Sequence, residues 1–128
     1  MKFVRTLAPL AVLSACATAQ PTDIPDCYQG PCIGIGEVQD LGHIQVKPLA
    51  VLEDSRCPIE ADCVWEGRLR LQTELTLGHE VITAELTAWD GFTINGGTLT
   101  LAEVAPDASV QWPNLREEDY SFRFSFAD

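Results

Sequence analysis

The 128-residue chain carries 8 Lys and Arg against 19 Asp and Glu, a formal net charge of −11. So acidic a surface repels nucleic acid and anionic lipid headgroups; it suits a soluble body and, where a partner exists, a cationic one. The length supplies one domain. In chain order the first segment is MKFVRTLAPLAVLSAC, with Lys2 and Arg5 ahead of an apolar run from Leu7 to Leu13. That run falls well short of the roughly 20 residues that span a bilayer, and residues 1–15 have the charge order and length of a secretory signal.

The end of that signal, Leu13-Ser14-Ala15-Cys16, resembles the lipobox of bacterial lipoproteins. The resemblance implies cleavage before Cys16, a thioether-linked diacylglycerol on its sulfur, and an acylated, palmitate-type amide on its amine. Several acyl chains, at about 0.8 kcal/mol per buried methylene, make such an anchor permanent. Ala17 follows where an aspartate would favour inner-membrane retention, so the outer membrane is the expected address within the bacterial envelope. The mature chain would be residues 16–128, 113 residues in all. Lys2 and Arg5 leave with the signal, so six basic side chains face 19 acids, a formal charge of −13.

Residues 17 to 26, ATAQPTDIPD, show no period and read as a tether that reaches about 33 Å when extended. Residues 16–32 then form the lipidated N-terminus, tether and a small cystine ring, and residues 33–128 form a β-domain. Besides Cys16, the chain has Cys27, Cys32, Cys57 and Cys63, an even number in an oxidising compartment. Four cysteines allow three pairings. Proximity during oxidation favours Cys27 with Cys32 and Cys57 with Cys63, each ring worth roughly 2 kcal/mol; a crossed pairing would close longer loops and stabilise somewhat more. Neither pair is C-x-x-C, which argues against a zinc site or a redox dithiol.

The body alternates with period two. Ile44 and Val46 face in while Gln45 and Lys47 face out, until Pro48 disturbs the ladder. Trp65, Leu69, Leu71, Leu75 and Leu77 share one parity, which runs back through Cys63. Trp65 is therefore expected on the core side unless Gly67 carries a bulge. Gly78-His79 turns the chain, and Ile82, Ala84 and Leu86 alternate with Thr83, Glu85 and Thr87. Asp90-Gly91 is a second turn. Phe92 to Ile94 and Thr98 to Leu101 flank Asn95-Gly96-Gly97 as a hairpin. Ala105-Pro106-Asp107 and Pro113-Asn114 interrupt the pattern. Tyr120, Phe122, Phe124 and Phe126 then line one face of a last strand. No segment has a 3.6-residue period, so the expected fold is all-β: one small antiparallel sandwich or partly open barrel, braced by disulfides.

Chemistry lacks its parts. Ser55, His43 and Asp54 can be written as a triad, but no G-x-S-x-G elbow supports them. Asp90 and Asp107 lie in turns without a D-x-D-x-D-G calcium loop, and Ile33-Gly34-Ile35-Gly36 lacks the third glycine of a phosphate loop. No catalytic residue, metal ligand set or cofactor is expected, and the chain reads as no enzyme.

The segment DSRCPIEADCVWEG, Asp54 to Gly67, is the distinctive stretch. Asp54-Ser55 favours a tight turn, Arg56 can fold over Asp54, Glu60 or Asp62, and a Cys57–Cys63 ring would pin the whole to the long strand. With Glu53 ahead of it, E-D-S-R-C-P-x(4)-C-V-W-E-G resembles a signature of small, uncharacterised bacterial envelope lipoproteins, in which β-strands and an aromatic final strand follow. Residues 53–126 match that pattern; it implies fold and compartment and adds no mechanism. The leading functional expectation is a tethered, non-catalytic β-domain whose 54–63 loop, with Asp54, Arg56, Glu60 and Asp62, binds an envelope protein or a surface polymer. Two alternatives stand beside it: a peptidase inhibitor that offers Arg56 from a braced loop, and a structural lipoprotein with no specific ligand.

Overall fold

The computed structural model describes residues 26–128. Cys16, the signal and most of the tether lie outside the described residues. Seven strands form within them: β1 (Gln39–Asp40), β2 (Gln45–Asp54), β3 (Leu69–Leu77), β4 (Glu80–Thr87), β5 (Gly91–Ile94), β6 (Gly97–Ala105) and β7 (Ser121–Ala127). They build two antiparallel sheets, ordered β1-β2-β3-β4 and β5-β6-β7, which do not close into a barrel. Of the two architectures the sequence left open, the chain takes the sandwich.

Period-two patterning explains why. In β3 the side chains of Leu69, Leu71, Thr73 and Leu75 are fully buried, while Arg70, Gln72 and Glu74 alternate with them on the outer face. Phe122 and Phe124 of β7 and Leu99 and Leu101 of β6 fill the core from the second sheet. Each such side chain stabilises the fold by about 1.5–3 kcal/mol through apolar burial. Thr73 is tolerated among them because its hydroxyl donates to the Ala84 carbonyl at 2.9 Å.

Pro48 does disturb its ladder, without ending the strand. β2 runs on to Asp54 through two register shifts, between Pro48 and Ala50 and between Val51 and Glu53. The β5–β6 hairpin is tighter than the three-residue loop expected. Ile94 pairs with Gly97, which leaves Asn95 and Gly96 as the turn, with φ of 52° and 77°. A two-residue turn with both φ positive matches the strand twist, and Asn-Gly is the pair that adopts it most readily.

The chain changes sheets at one corner. The Ala88 N–H donates to Leu69 in the first sheet at 2.9 Å, and the next N–H, of Trp89, donates to Leu101 in the second at 3.0 Å. Trp89 sits there at φ 69°, a left-handed conformation that is costly for a bulky side chain. At the other side of the sandwich, the outer edge of β7 is covered. Ile33 exchanges two backbone hydrogen bonds with Phe122, and the Gln39 amide both donates to and accepts from the Phe124 backbone.

Both disulfides join near neighbours: Cys27 with Cys32 and Cys57 with Cys63, with Cα separations of 5.9 and 6.0 Å. The Cys27–Cys32 ring is held on the second sheet by Glu103 of β6, whose carboxylate accepts the Tyr28 N–H at 2.5 Å and the Gln29 N–H at 3.2 Å. Arg123 of β7 pairs with the same carboxylate at 3.2 Å.

One expectation fails. Trp65 is not on the core side: it is 63% exposed, and β3 begins only at Leu69. The reason is Gly67, which runs so close to the Ser55 and Arg56 backbone that a Cβ there would overlap it. The ladder continues one step past β2 and β3, with the Ser55 N–H donating to the Arg68 carbonyl at 2.8 Å. Beyond that, the chain swings away and the alternation is broken.

Candidate functional site

The 54–67 segment folds at one end of the sandwich, and Arg56 is its centre. Its Nε donates to Asp54 Oδ1 at 2.8 Å and its Nη2 to Asp54 Oδ2 at 3.0 Å, a bidentate pair. Nη1 reaches across to the Pro106 carbonyl at 3.1 Å. From β7's approach, the Tyr120 hydroxyl donates to Asp54 Oδ2 at 2.7 Å. The Arg56 side chain is left 7% exposed and that of Asp54 18%.

These contacts set the titration of the cluster. Burial pushes the Asp54 carboxyl up, but the hydrogen bonds from Arg56 and Tyr120, together with the Arg56 charge, outweigh it, so the group titrates below its ordinary 3.8. Burial first, and then the neighbouring Asp54 carboxylate, push the Tyr120 phenol far above its ordinary 10. At neutral pH the set is therefore locked as carboxylate, guanidinium and neutral phenol.

Glu60 ties the ring to the 106–115 segment. Its carboxylate accepts the Ser109 hydroxyl at 2.5 Å and the Val110 N–H at 3.1 Å, and the Ser109 bond chiefly holds its pKa below the usual range. The Ile59 N–H donates to the Ala108 carbonyl at 2.9 Å. Of the four residues expected to form a binding loop, Asp54, Arg56 and Glu60 are thus engaged inside the protein, and Asp62 is exposed. All three nitrogens of the Arg56 guanidinium donate within the protein.

Two grooves flank this buried knot. One, of about 730 Å³, is lined by Asp54, Arg56, Ser109, Trp112, Arg116 and Tyr120. The Trp112 indole N–H is satisfied there by the Asp107 carbonyl at 3.1 Å. The second, of about 750 Å³, is lined by Ile59, Trp65, Trp89 and the carboxylate residues Glu66, Asp90 and Asp107. Ile59 is 71% exposed, Val64 94%, Trp65 63% and Trp89 58%. Large apolar side chains clustered in the open at one end of a domain mark a contact surface more often than a scattered few do.

The structure does not assemble a triad. Ser55 exchanges hydrogen bonds with Arg68, and His43 lies before β2 while Ser55 lies after it. Ten strand residues put about 30 Å between them. His43 and His79 both sit near the far end of the sandwich, His43 in a shallow hollow with Gly78 and Asn95. Asp26 lies close to Cys27 and Cys32, but both sulfurs are in the disulfide and offer no thiolate to a metal.

Two neighbours of the loop are not apparent from local pattern. Tyr120 shares the parity of the core phenylalanines, and the signal of its second contact is its hydroxyl: a buried phenol needs a partner, which Asp54 supplies. Trp89 is the other. Continuing the inward parity of Ile82, Ala84 and Leu86 to Ala88 puts Trp89 on the outward side, next to the Asp90-Gly91 turn. What fold and site define together is a class: a disulfide-braced antiparallel β-sandwich with one knotted, partly apolar loop end. Comparisons with protein-family models, curated proteins and solved structures give no match for the chain.

Proposed function

We propose that this protein is a lipid-anchored envelope lipoprotein whose non-catalytic β-domain binds an envelope partner through the outer face of its cystine loop. The observation that carries the reading is the contrast within the loop itself. Asp54, Arg56 and Glu60 brace it from behind, while Ile59 on the Cys57–Cys63 ring and Val64 and Trp65 just past it stand in solvent. A pre-organised loop loses little conformational entropy on binding, and tryptophan is among the side chains enriched where interfaces gain most of their energy. Lipidation at Cys16 would supply the address, and the −13 charge of the processed chain would hold the body off anionic headgroups.

Position 64 is the place to test it, since the Val64 side chain is outside every bond described. A photocrosslinker at Val64 in living cells should capture one defined partner, lost in Trp65→Ala. Capture of bulk envelope protein only, unchanged by Trp65→Ala, would overturn the reading. For the anchor, Cys16→Ser should move the protein from the membrane fraction to the soluble one after cell lysis.

A further inference from the structure

The second groove says more about its occupant than that it exists. It offers the two most exposed tryptophans of the described residues, Trp65 and Trp89, along one hollow. The same hollow carries Glu66, Asp90 and Asp107, which form no ion pair among the described residues. Its two cations are already engaged by acids outside it: Arg56 by Asp54 at 2.8 Å and Arg68 by Glu53 at 2.6 Å. The hollow is therefore rich in aromatic faces and in unmatched carboxylates.

Trp89 adds a second argument. A tryptophan at φ 69° is held in a strained conformation where Asn or Gly would sit at ease, and its indole is presented outward at the point where the chain changes sheets. Nothing in the packing requires that side chain there, since it is not part of the buried core.

From these observations, and resting on the binding-module reading above, we infer that the groove between Trp65 and Trp89 is a docking site for a basic segment of a partner protein. An arginine or lysine side chain of that segment lies over an indole face, where the ring quadrupole attracts a cation, with arginine preferred for its planar stacking. Glu66, Asp90 and Asp107 pair with it or its neighbours, and Ile59 takes the apolar part of the segment. The net charge of −11 on the whole chain steers such a partner in and steers acidic ones away.

The test is a titration of the full-length protein in detergent with hexa-arginine, hexa-glutamate and a neutral chitin hexasaccharide, followed by tryptophan fluorescence and calorimetry. Hexa-arginine should bind and the other two should not. Trp65→Ala and Trp89→Ala should each weaken binding at least tenfold, and so should the triple neutral variant Glu66→Gln, Asp90→Asn, Asp107→Asn, which alters only exposed side chains. An unchanged thermal transition in each variant keeps the comparison one of binding. Hexa-arginine affinity equal in all three variants would overturn the inference, because it would place the peptide on the general acidic surface. Tryptophan-dependent binding of the neutral saccharide, without hexa-arginine, would overturn it too. Failure of the peptide alongside a defined crosslink from position 64 would remove the basic partner and leave the binding module standing; failure of both would remove both.

Discussion

The two sides of the 54–67 loop are built from similar residues and do opposite work. On the Asp54–Arg56–Tyr120 side every charge is answered: bidentate pair, carbonyl, phenol. On the Trp65–Trp89 side three carboxylates and two indoles face water without partners among the described residues. A run of charge in a sequence does not distinguish these cases. The side where charges cancel braces the loop, and the side where apolar and acidic groups remain unmatched is the face the proposed partner would meet.

That contrast can be broken from the structural side first. Arg56→Ala should cost the most, about 2 kcal/mol, because it leaves the partly buried Asp54 carboxylate with only the Tyr120 hydroxyl as partner and the Pro106 carbonyl without its donor. Urea unfolding would read this directly, and Arg56→Lys should recover less than half, since an ammonium does not reproduce the two-pronged bond. An Arg56→Ala protein as stable as the parent would mean that the knot braces nothing. Next comes the ring: replacing Cys57 and Cys63 together by Ser should lose about 2 kcal/mol, the value for closing so small a loop. The same double substitution should weaken crosslinking from position 64 out of proportion to stability, if rigidity is what the ring contributes.

Acidity sharpens the comparison further. The folded-state pKa of Asp54 is depressed, so its stabilising contribution is complete above about pH 4 and fades as pH falls through the lowered folded value. The phenol of Tyr120 has the opposite sign. Its folded pKa is raised, so that contribution is complete below pH 10 and declines as pH rises beyond it. Asp54→Asn should flatten the acid limb of a stability–pH curve, and Tyr120→Phe the alkaline limb, the latter at a cost of about 1 kcal/mol for the lost hydrogen bond. Unaltered limbs would detach these groups from folding. The smallest effects belong to the other side. Trp65→Ala and Trp89→Asn should each change unfolding free energy by less than about 1 kcal/mol, as exposed positions do, with Asn suited to the left-handed corner. A large loss in either would show that the indoles are structural after all.

Much of the fold was legible because period two is a strong signal wherever one face is buried. The Leu69-to-Leu75 and Phe122-to-Phe124 patterns, the existence of the β5–β6 hairpin and both local disulfides follow from side-chain alternation, turn chemistry and ring size. Trp65 departs from the pattern because alternation holds only while the ladder does, and close backbone packing at Gly67 ends it two residues before Leu69. The site was less readable still. Tyr120 lies 66 residues from Asp54, and Ser109 lies 49 from Glu60, and no local pattern couples such pairs. Which of several acids Arg56 would choose is decided by sheet topology, which brings the Tyr120 hydroxyl to Asp54 and the Pro106 carbonyl to the third nitrogen of the guanidinium.

The cover along β7 carries a consequence for many copies of the protein side by side. A bare final strand would hold out the Phe122 and Phe124 amides as a template on which a neighbour's strand could add. Here Ile33 and the single amide of Gln39 fill those positions. Crowding can then bring molecules together without zipping them into fibres, and Gln39→Ala is the change that should let light scattering rise with concentration.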